Sequence, residues 1–342
     1  MGDLVQHRKV ELAEISGKTV AIDAYNMLYQ FLSIIRGADG TPLKDRSGRI
    51  TSHLSGLFYR TANLVEAGIK PAYVFDGTPP TLKEEEIRRR ISVKKVAAVK
   101  YERALRLGKI EEAKVYAQAT SRLEDYMVSG AKSLLTLMGV PWVQAPSEGE
   151  AQAAYMAMRG DVWAAASQDY DALLFGAPRL VRNLSITGRR KLPRKNVYVE
   201  VKPEIVELNR VLEELAVTRE QLVTIGILIG TDFNPDGVEG IGPKTALTLA
   251  KKHGTLENIL PNLKKAEFPV EPKRIAQIFL DPEVTPHYVL KWKPPDVEGT
   301  LDFLCKGHDF SRERILGALE RMSTGFKEGE KKATLEKWFS SA

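Results

Sequence analysis

Seven carboxylates in this chain stand beside apolar runs. Asp23 closes Thr19-Val20-Ala21-Ile22, and Asp76 closes Ala72-Tyr73-Val74-Phe75. Glu148 and Glu150 follow Ala145-Pro146-Ser147 and open a helix-prone stretch. Asp169 and Asp171 follow Ala164-Ala165-Ala166-Ser167-Gln168, and Asp232 comes after the apolar segment from Ile225 to Gly230. Two carboxylates about 4 Å apart repel by roughly 4 kcal/mol at an effective dielectric near 20. Several in one crevice must therefore protonate or be neutralised by hard divalent cations. Mg²⁺ takes a few carboxylates plus waters, so a set of this size suits two ions better than one. Two ions about 3.5–4 Å apart can clamp the attacking and leaving oxygens of a phosphoryl displacement.

Each acid also has a simpler use. Asp23 can cap a helix, Ser147 with Glu150 matches a capping box, Asp169 and Asp171 can form turns, and Asp232 can start an Asx-turn with Asn234. Repetition across five separate segments is what favours a shared metal site over unrelated turns. No Ser/His or Cys/His nucleophile set accompanies the acids.

These residues need a scaffold that gathers strand ends. The pattern alternates strands and helices, which predicts an α/β fold with a central, mostly parallel sheet flanked by helices. Strands are expected at Thr19–Ile22, Ala72–Phe75, Pro141–Val143 and Val162–Ala166. Helices are expected over Tyr25–Ile35, Leu54–Ala67, Ala131–Met138, Ala151–Arg159 and Gln221–Ile229. Acids at the C-terminal ends of such strands face the crevice where open α/β sheets place their sites. A β excursion with a basic tip, Arg189-Arg190-Lys191, is expected between Leu180 and Val199.

Residues 79–130 differ in texture: charged, helix-prone and without a strand signal, they carry Lys83, Arg88, Arg89, Arg90, Lys94, Lys95, Lys100, Lys109 and Lys114. Starting just after Asp76, this insertion reads as a basic helical lid over the crevice, or as a solvated helical hairpin. Core segments are expected at about 1–78 and 131–260, giving a single domain over 1–324. A Gly-rich hairpin lies within about 232–254. There Gly240-Ile241-Gly242-Pro243-Lys244 leads into a helix that carries Lys251 and Lys252, which suits docking of a phosphate on exposed N–H groups. The part from about 261 to 324 reads as helical, and 325–342 as a flexible tail bearing Leu335, Trp338 and Phe339. Apolar anchors on a tail suit a partner's pocket.

The chain has 342 residues, enough for an ample core, and a formal net charge of +6. Since the crevice concentrates acid, the remaining surface is basic, as a protein that attracts polyanions requires. The one cysteine, Cys305, excludes an internal disulfide and fits a reducing compartment. No run is long and apolar enough for a membrane span, and no signal-peptide pattern opens the chain, so a cytoplasmic protein (nuclear if eukaryotic) is expected, not a secreted one.

Together these motifs resemble the flap endonucleases, structure-specific 5′ nucleases of the xeroderma-pigmentosum-G-like group. The likeness rests on Val20-Ala21-Ile22-Asp23-Ala24, Tyr73-Val74-Phe75-Asp76-Gly77, Ala145–Ala151, Gln168-Asp169-Tyr170-Asp171 and Gly240–Lys244, in that order. The short chain and its Trp-Phe tail look more like the archaeal branch. The resemblance implies a PIN-like 5′ nuclease fold with an inserted helical arch and a helix-hairpin-helix-type element. It implies hydrolysis near the base of a 5′ flap with 5′-3′ exonuclease side activity, in DNA replication (Okazaki fragment maturation) and repair. Two Mg²⁺ ions, with Mn²⁺ as a substitute, are implied: one near Asp23, Asp76, Glu148 and Glu150, the other near Asp169, Asp171 and Asp232. Lys83 and Arg90 would stabilise the scissile phosphate, Tyr29 would stack on a base beside the cut, and Gly2 would lie near the site and tolerate no bulk. Arg36, Lys244, Lys251 and Lys252 would contact DNA, and a K⁺ would sit by Gly240 and Gly242. Thr51 and Phe303–Arg314 resemble a pocket for a one-nucleotide 3′ flap, although His308 stands where Lys is common. Leu335, Trp338 and Phe339 resemble a sliding-clamp-binding box in which Lys332 replaces the leading Gln. A monomer is implied. The competing readings are a non-catalytic DNA-junction binder recruited to the clamp and a PIN-like endoribonuclease.

Overall fold

The structure is a computed structural model. It describes all residues except 38, 39, 108, 110, 111, 113, 114, 117–119, 121, 186, 187, 192–197, 264–267, 341 and 342. The side chains of 81, 84–86, 105, 189–191, 198, 199 and 328–340 also lie outside the description.

Among the described residues nine strands run in chain order: β1 (Arg8–Lys9), β2 (Thr19–Asp23), β3 (Lys70–Phe75), β4 (Trp142–Gln144), β5 (Ala164–Ala166), β6 (Arg179–Arg182), β7 (Gly188–Lys191), β8 (Tyr198–Val201) and β9 (Glu204–Glu207). The main sheet has the order β1-β9-β6-β5-β2-β3-β4. Its centre, β6 to β4, is parallel, with Ile22 opposite both Tyr73 and Ala166, and Phe75 opposite Gln144. The chain winds outward through β2, β3 and β4, then returns to β5 on the other side of β2. This reversal opens a crevice beyond the C-terminal ends of β2, β3 and β5, the place where such sheets hold ligands.

Both faces of the sheet are buried, as parallel sheets require. Val20, Ile22, Tyr73 and Phe75 point into one core, while Ala21, Val74 and Ala165 point into the other. Helices α1 (Ala24–Ile34) and α2 (Ser52–Glu66) cover the first face. They cross closely at Gly56, where a Cβ would come within 2.2 Å of the Phe31 ring, so a larger residue would force them apart. The short turn Thr81–Lys83 leads into α3 (Glu84–Arg106). Ile91, Val93 and Val99 on it are exposed, and Ala97 and Ala104 are its buried apolar positions. Helices α4 (Asp125–Leu137) and α5 (Gly149–Met158) return the chain to the sheet. Helix α4 starts six positions before the expected Ala131.

Three expectations need correction. The β excursion after Leu180 is present, with β6 in the main sheet and β7 paired to β8 as a two-stranded ribbon, but Arg189-Arg190-Lys191 lie within strand β7 and not at its tip. The part beyond 261 is not continuously helical. Helix Pro272–Leu280 is followed by an extended strap over 281–296, where Pro282, Pro286, Pro294 and Pro295 withhold N–H donors. The stretch from 325, read as a flexible tail, continues the helix Arg312–Ser340, since Lys, Glu, Ala and Leu favour helix and no Pro interrupts it. No helix among the described residues is long and apolar enough to cross a membrane.

Candidate active site

Every acid of the set lies at the crevice. Asp23 ends β2 and caps α1, its Oδ1 accepting from Asn26 N at 3.0 Å. Asn26 Nδ2 also donates to Asp169 Oδ2 at 2.9 Å, so one side chain ties the ends of β2 and β5 together. Asp76 follows β3, and its Oδ1 accepts from Gly149 N at 2.8 Å, at the positive N-terminal end of α5. The segments after β3 and β4 run side by side: Gly77 N donates to Ser147 O at 2.7 Å and Thr78 N to Pro146 O at 3.1 Å. Gly77 is required there, because a Cβ would stand 2.3 Å from the carbonyls of Ala145 and Pro146. Asp232 sits on a turn locked by Thr231 and Asn234, whose Oγ1 and Oδ1 are 2.7 Å apart, while Asn234 Nδ2 donates to Ile227 O at 2.6 Å.

These carboxylates form one electrostatic cluster. Burial, then Asp76, raises the Asp23 pKa well above the usual range, with Asp169 and Glu148 adding to it. Burial, Asp169, Asp171 and Asp23 do the same to Glu150. Burial and Glu148 push Asp76 up to about 6, against the Gly149 N–H and Lys83. Asp171 is pushed up to about 7 by burial, Asp232 and Asp169. Asp169, more open to solvent than its neighbours, is raised by the packing around it and by Asp232. Groups this strongly coupled prefer a cation to a shared negative field.

Two cations from the start of the inserted segment meet them. Lys83 Nζ lies 2.5 Å from Glu148 Oε2 and 3.1 Å from Asp232 Oδ2. Arg90 Nη2 lies 2.6 Å from Asp232 Oδ1. Burial works against charge on Lys83, but Glu148 and Asp232 overcome it and hold its pKa above the usual lysine range. Burial works upward on Asp232 too, yet Lys83 and Arg90 keep its pKa below the ordinary value. Among the described residues no three acidic or histidine side chains form a group that could hold a metal ion as they are placed. Glu148 and Asp232 are drawn to Lys83 and Arg90, not to a common point. The donor chemistry nevertheless fits hard divalent ions: the ligands are all carboxylate oxygens, and Glu150 Oε1 is buried with no hydrogen-bond partner.

Residues 3–97 match the XPG N-terminal domain and residues 139–232 match the XPG I-region, leaving most of the inserted helical segment between them. The chain is 61% identical to flap endonuclease 1 of Hyperthermus butylicus over 94% of this chain and 92% of that one. It is 58% identical to flap endonuclease 1 of Staphylothermus marinus, over 96% and 95% of the two chains. The chain belongs to the flap endonuclease family. The solved flap endonuclease-1 from Methanococcus jannaschii superposes with a TM-score of 0.75 at 44% identity, over 96% of this chain and 98% of that one.

Other positions expected of a flap endonuclease fall around this crevice unevenly. Tyr29, half-buried on α1, carries Lys94 Nζ 4.6 Å from its ring centre, so an arch lysine lies on the face expected to stack on a base. Gly2 is close to Tyr170, and the Met1 amine feels Asp171, which places the N-terminus beside the site. The expectation that Gly2 tolerates no bulk is not supported: a Cβ there meets Tyr170 at 3.7 Å, an ordinary contact. Gly240 has φ +79° and Gly242 caps helix Pro243–His253, both open on the Cβ side, with Lys244, Lys251 and Lys252 exposed nearby.

Arg36 is engaged by its own loop, donating to Ser33 O at 3.2 Å and Gly40 O at 3.0 Å. Thr51 is buried at the start of α2. His308 Nδ1 stands 3.2 Å from Asp45 Oδ2, and Arg46 N donates to Asp309 Oδ2 at 2.7 Å, so the loop before α2 is hooked to 307–309. The side chains of Leu335, Trp338 and Phe339 lie outside the described residues.

Sequence reasoning named Asn234 in the turn at Asp232 but missed Asn26 and the network behind Asp169. In that network Arg182 Nη1 donates to Tyr170 OH at 2.6 Å and Arg182 Nε to Gln168 O at 3.0 Å. Asn26 was accessible from its place in the turn after Asp23, whereas Arg182 had no signal because its partners, Tyr170 and Gln168, come from the segment after the neighbouring strand β5.

Proposed function

We propose that this chain hydrolyses a DNA phosphodiester near the base of a 5′ flap, with 5′-3′ exonuclease side activity, in replication and repair. The observation that carries this reading is the meeting of strand-end carboxylates with Lys83 and Arg90 at the root of the inserted helix. Asp23, Asp76, Glu148 and Glu150 would hold one divalent ion, and Asp169, Asp171 and Asp232 the other. When bound, Mg²⁺, or Mn²⁺ in its place, supplies Lewis-acid charge stabilisation and lowers the pKa of the attacking water. Lys83 and Arg90 exchange carboxylate oxygens for the non-bridging oxygens of the scissile phosphate and stabilise its growing charge. Tyr29 gives up Lys94 and takes a nucleobase on its ring. Asn26 and Gly149 N keep Asp169, Asp23 and Asp76 oriented throughout.

Duplex is gripped through phosphates at the Gly240–Lys244 hairpin, with a K⁺ beside it, so cutting depends on structure and not on sequence. The free 5′ strand passes the arch, and the terminal nucleotides unpair at a cost of a few kcal/mol. The tail recruits a sliding clamp through Leu335, Trp338 and Phe339.

The test is a panel of end-labelled DNAs (single strand, blunt duplex, 5′ flap, 3′ flap, double flap) with and without Mg²⁺. Cutting of the 5′-flap and double-flap substrates near the junction, only with Mg²⁺ and leaving a 5′-phosphate, is expected. Equal cutting of all five, or faster cutting of an RNA hairpin, contradicts the reading.

A further inference from the structure

Strand β4 ends at Gln144, an exposed side chain on the sheet edge. Its Nε2 donates to three carbonyls: Asp76 O at 2.7 Å, and Phe75 O and Ala145 O at 3.2 Å each. Those oxygens belong to the two segments that leave the sheet carrying Asp76 and, farther on, Glu148. Its Oε1 accepts from Lys132 Nζ at 2.6 Å. Lys132 projects from α4, with its ammonium 5.0 Å from the Phe75 ring centre and 4.9 Å from that of Trp142. Trp142 is itself held, its Nε1 donating to Thr136 Oγ1 at 3.1 Å.

An amide has two faces of opposite hydrogen-bonding sense, and nothing in a glutamine fixes which way it turns. An ammonium only donates. Lys132 therefore forces Oε1 outward and turns the N–H groups toward the three carbonyls. A turned amide would set oxygen against oxygen at Asp76. The aromatic pair holds the ammonium in place, since a cation over two rings is fixed in position without a counter-charge.

We propose that Gln144, oriented by Lys132 on its Phe75–Trp142 seat, is a positioning residue for Asp76 that sets how tightly the crevice holds divalent ions. The inference rests on the divalent-metal reading above. Groups one step behind metal ligands commonly govern affinity by about 10-fold or more.

The experiment measures Mn²⁺ binding to the full-length protein by electron paramagnetic resonance, beside single-turnover cleavage of 5′-flap DNA along a Mg²⁺ titration. Gln144→Met keeps the length and removes the donors. It should weaken Mn²⁺ binding about 10-fold. It should also shift the Mg²⁺ midpoint by a like factor, with the rate recovering at saturating Mg²⁺. Flap affinity in EDTA and thermal stability without metal should stay unchanged, which a merely structural role would not allow. Lys132→Met should reproduce the loss, the double variant should be no worse than either single one, and Lys132→Arg, a donor that also stacks, should restore binding. Wild-type Mn²⁺ affinity in Gln144→Met, or additive losses in the double variant, overturns the proposal. Absence of Mn²⁺ binding in the unsubstituted protein would instead overturn the metal reading itself.

Discussion

Lys83 Nζ lies 2.5 Å from Glu148 Oε2, inside a cluster where most neighbours carry the opposite charge. On the proposed function the lysine is half of an exchange: it neutralises a carboxylate before substrate arrives and would neutralise a phosphate afterwards. Lys83→Met should therefore lower the single-turnover rate at saturating Mg²⁺ by about 10²–10³-fold, the usual loss for a charge-stabilising donor. Rapid-quench cleavage of a 5′ flap, with binding measured separately, checks this. A rate unchanged while binding collapses would assign Lys83 to affinity alone.

Asp171 should make folding depend on pH in an unusual direction. Its pKa in the folded chain is about 7, above the ordinary 3.8, so the folded state binds a proton more tightly than the unfolded one. The linked stability is present below pH 4 and is lost as pH rises through about 7. Asp171→Asn, which removes the charge and keeps the shape, should be more stable than the parent by about 1–3 kcal/mol at pH 8 in EDTA. The gain should vanish near pH 4. Urea unfolding of both proteins across this range decides it, and a pH-independent difference would show that Asp171 is not held in a repulsive field.

Much of this site was legible in the sequence, and the reason is local. Thr19–Asp23 and Ala72–Asp76 each pair a short apolar run, buried on both faces, with an acid at its end, and the parallel sheet turns that motif directly into a crevice. Strand β9 was missed because Glu204–Glu207 holds only two adjacent apolar residues between two glutamates, without strand alternation, a pattern a surface loop shares. Strand β1 was missed because Arg8 and Lys9 are both exposed, and only their pairing with β9 makes them a strand. Gln144 was invisible for a different reason. Its role depends on an ammonium from α4 and on three carbonyls, and no residue type announces that.

The tail prediction concerns a partner. Phe339→Ala should leave cutting of 5′-flap DNA unchanged without clamp, and lose the stimulation expected on adding a sliding clamp. Truncating an aromatic anchor should weaken clamp binding by about 10-fold or more. Calorimetry with purified clamp measures it, and unaltered affinity rules the clamp-binding reading out.

The most direct measurement is single-turnover cleavage of a double-flap DNA by Asp171→Ala beside the unsubstituted chain, over a Mg²⁺ titration from zero. The unsubstituted chain should cut near the junction only when Mg²⁺ is present. Asp171→Ala should bind the same DNA and fail to cut it at any Mg²⁺ concentration. Cutting by the variant at the parental rate, or cutting by the parent in EDTA, would contradict the account.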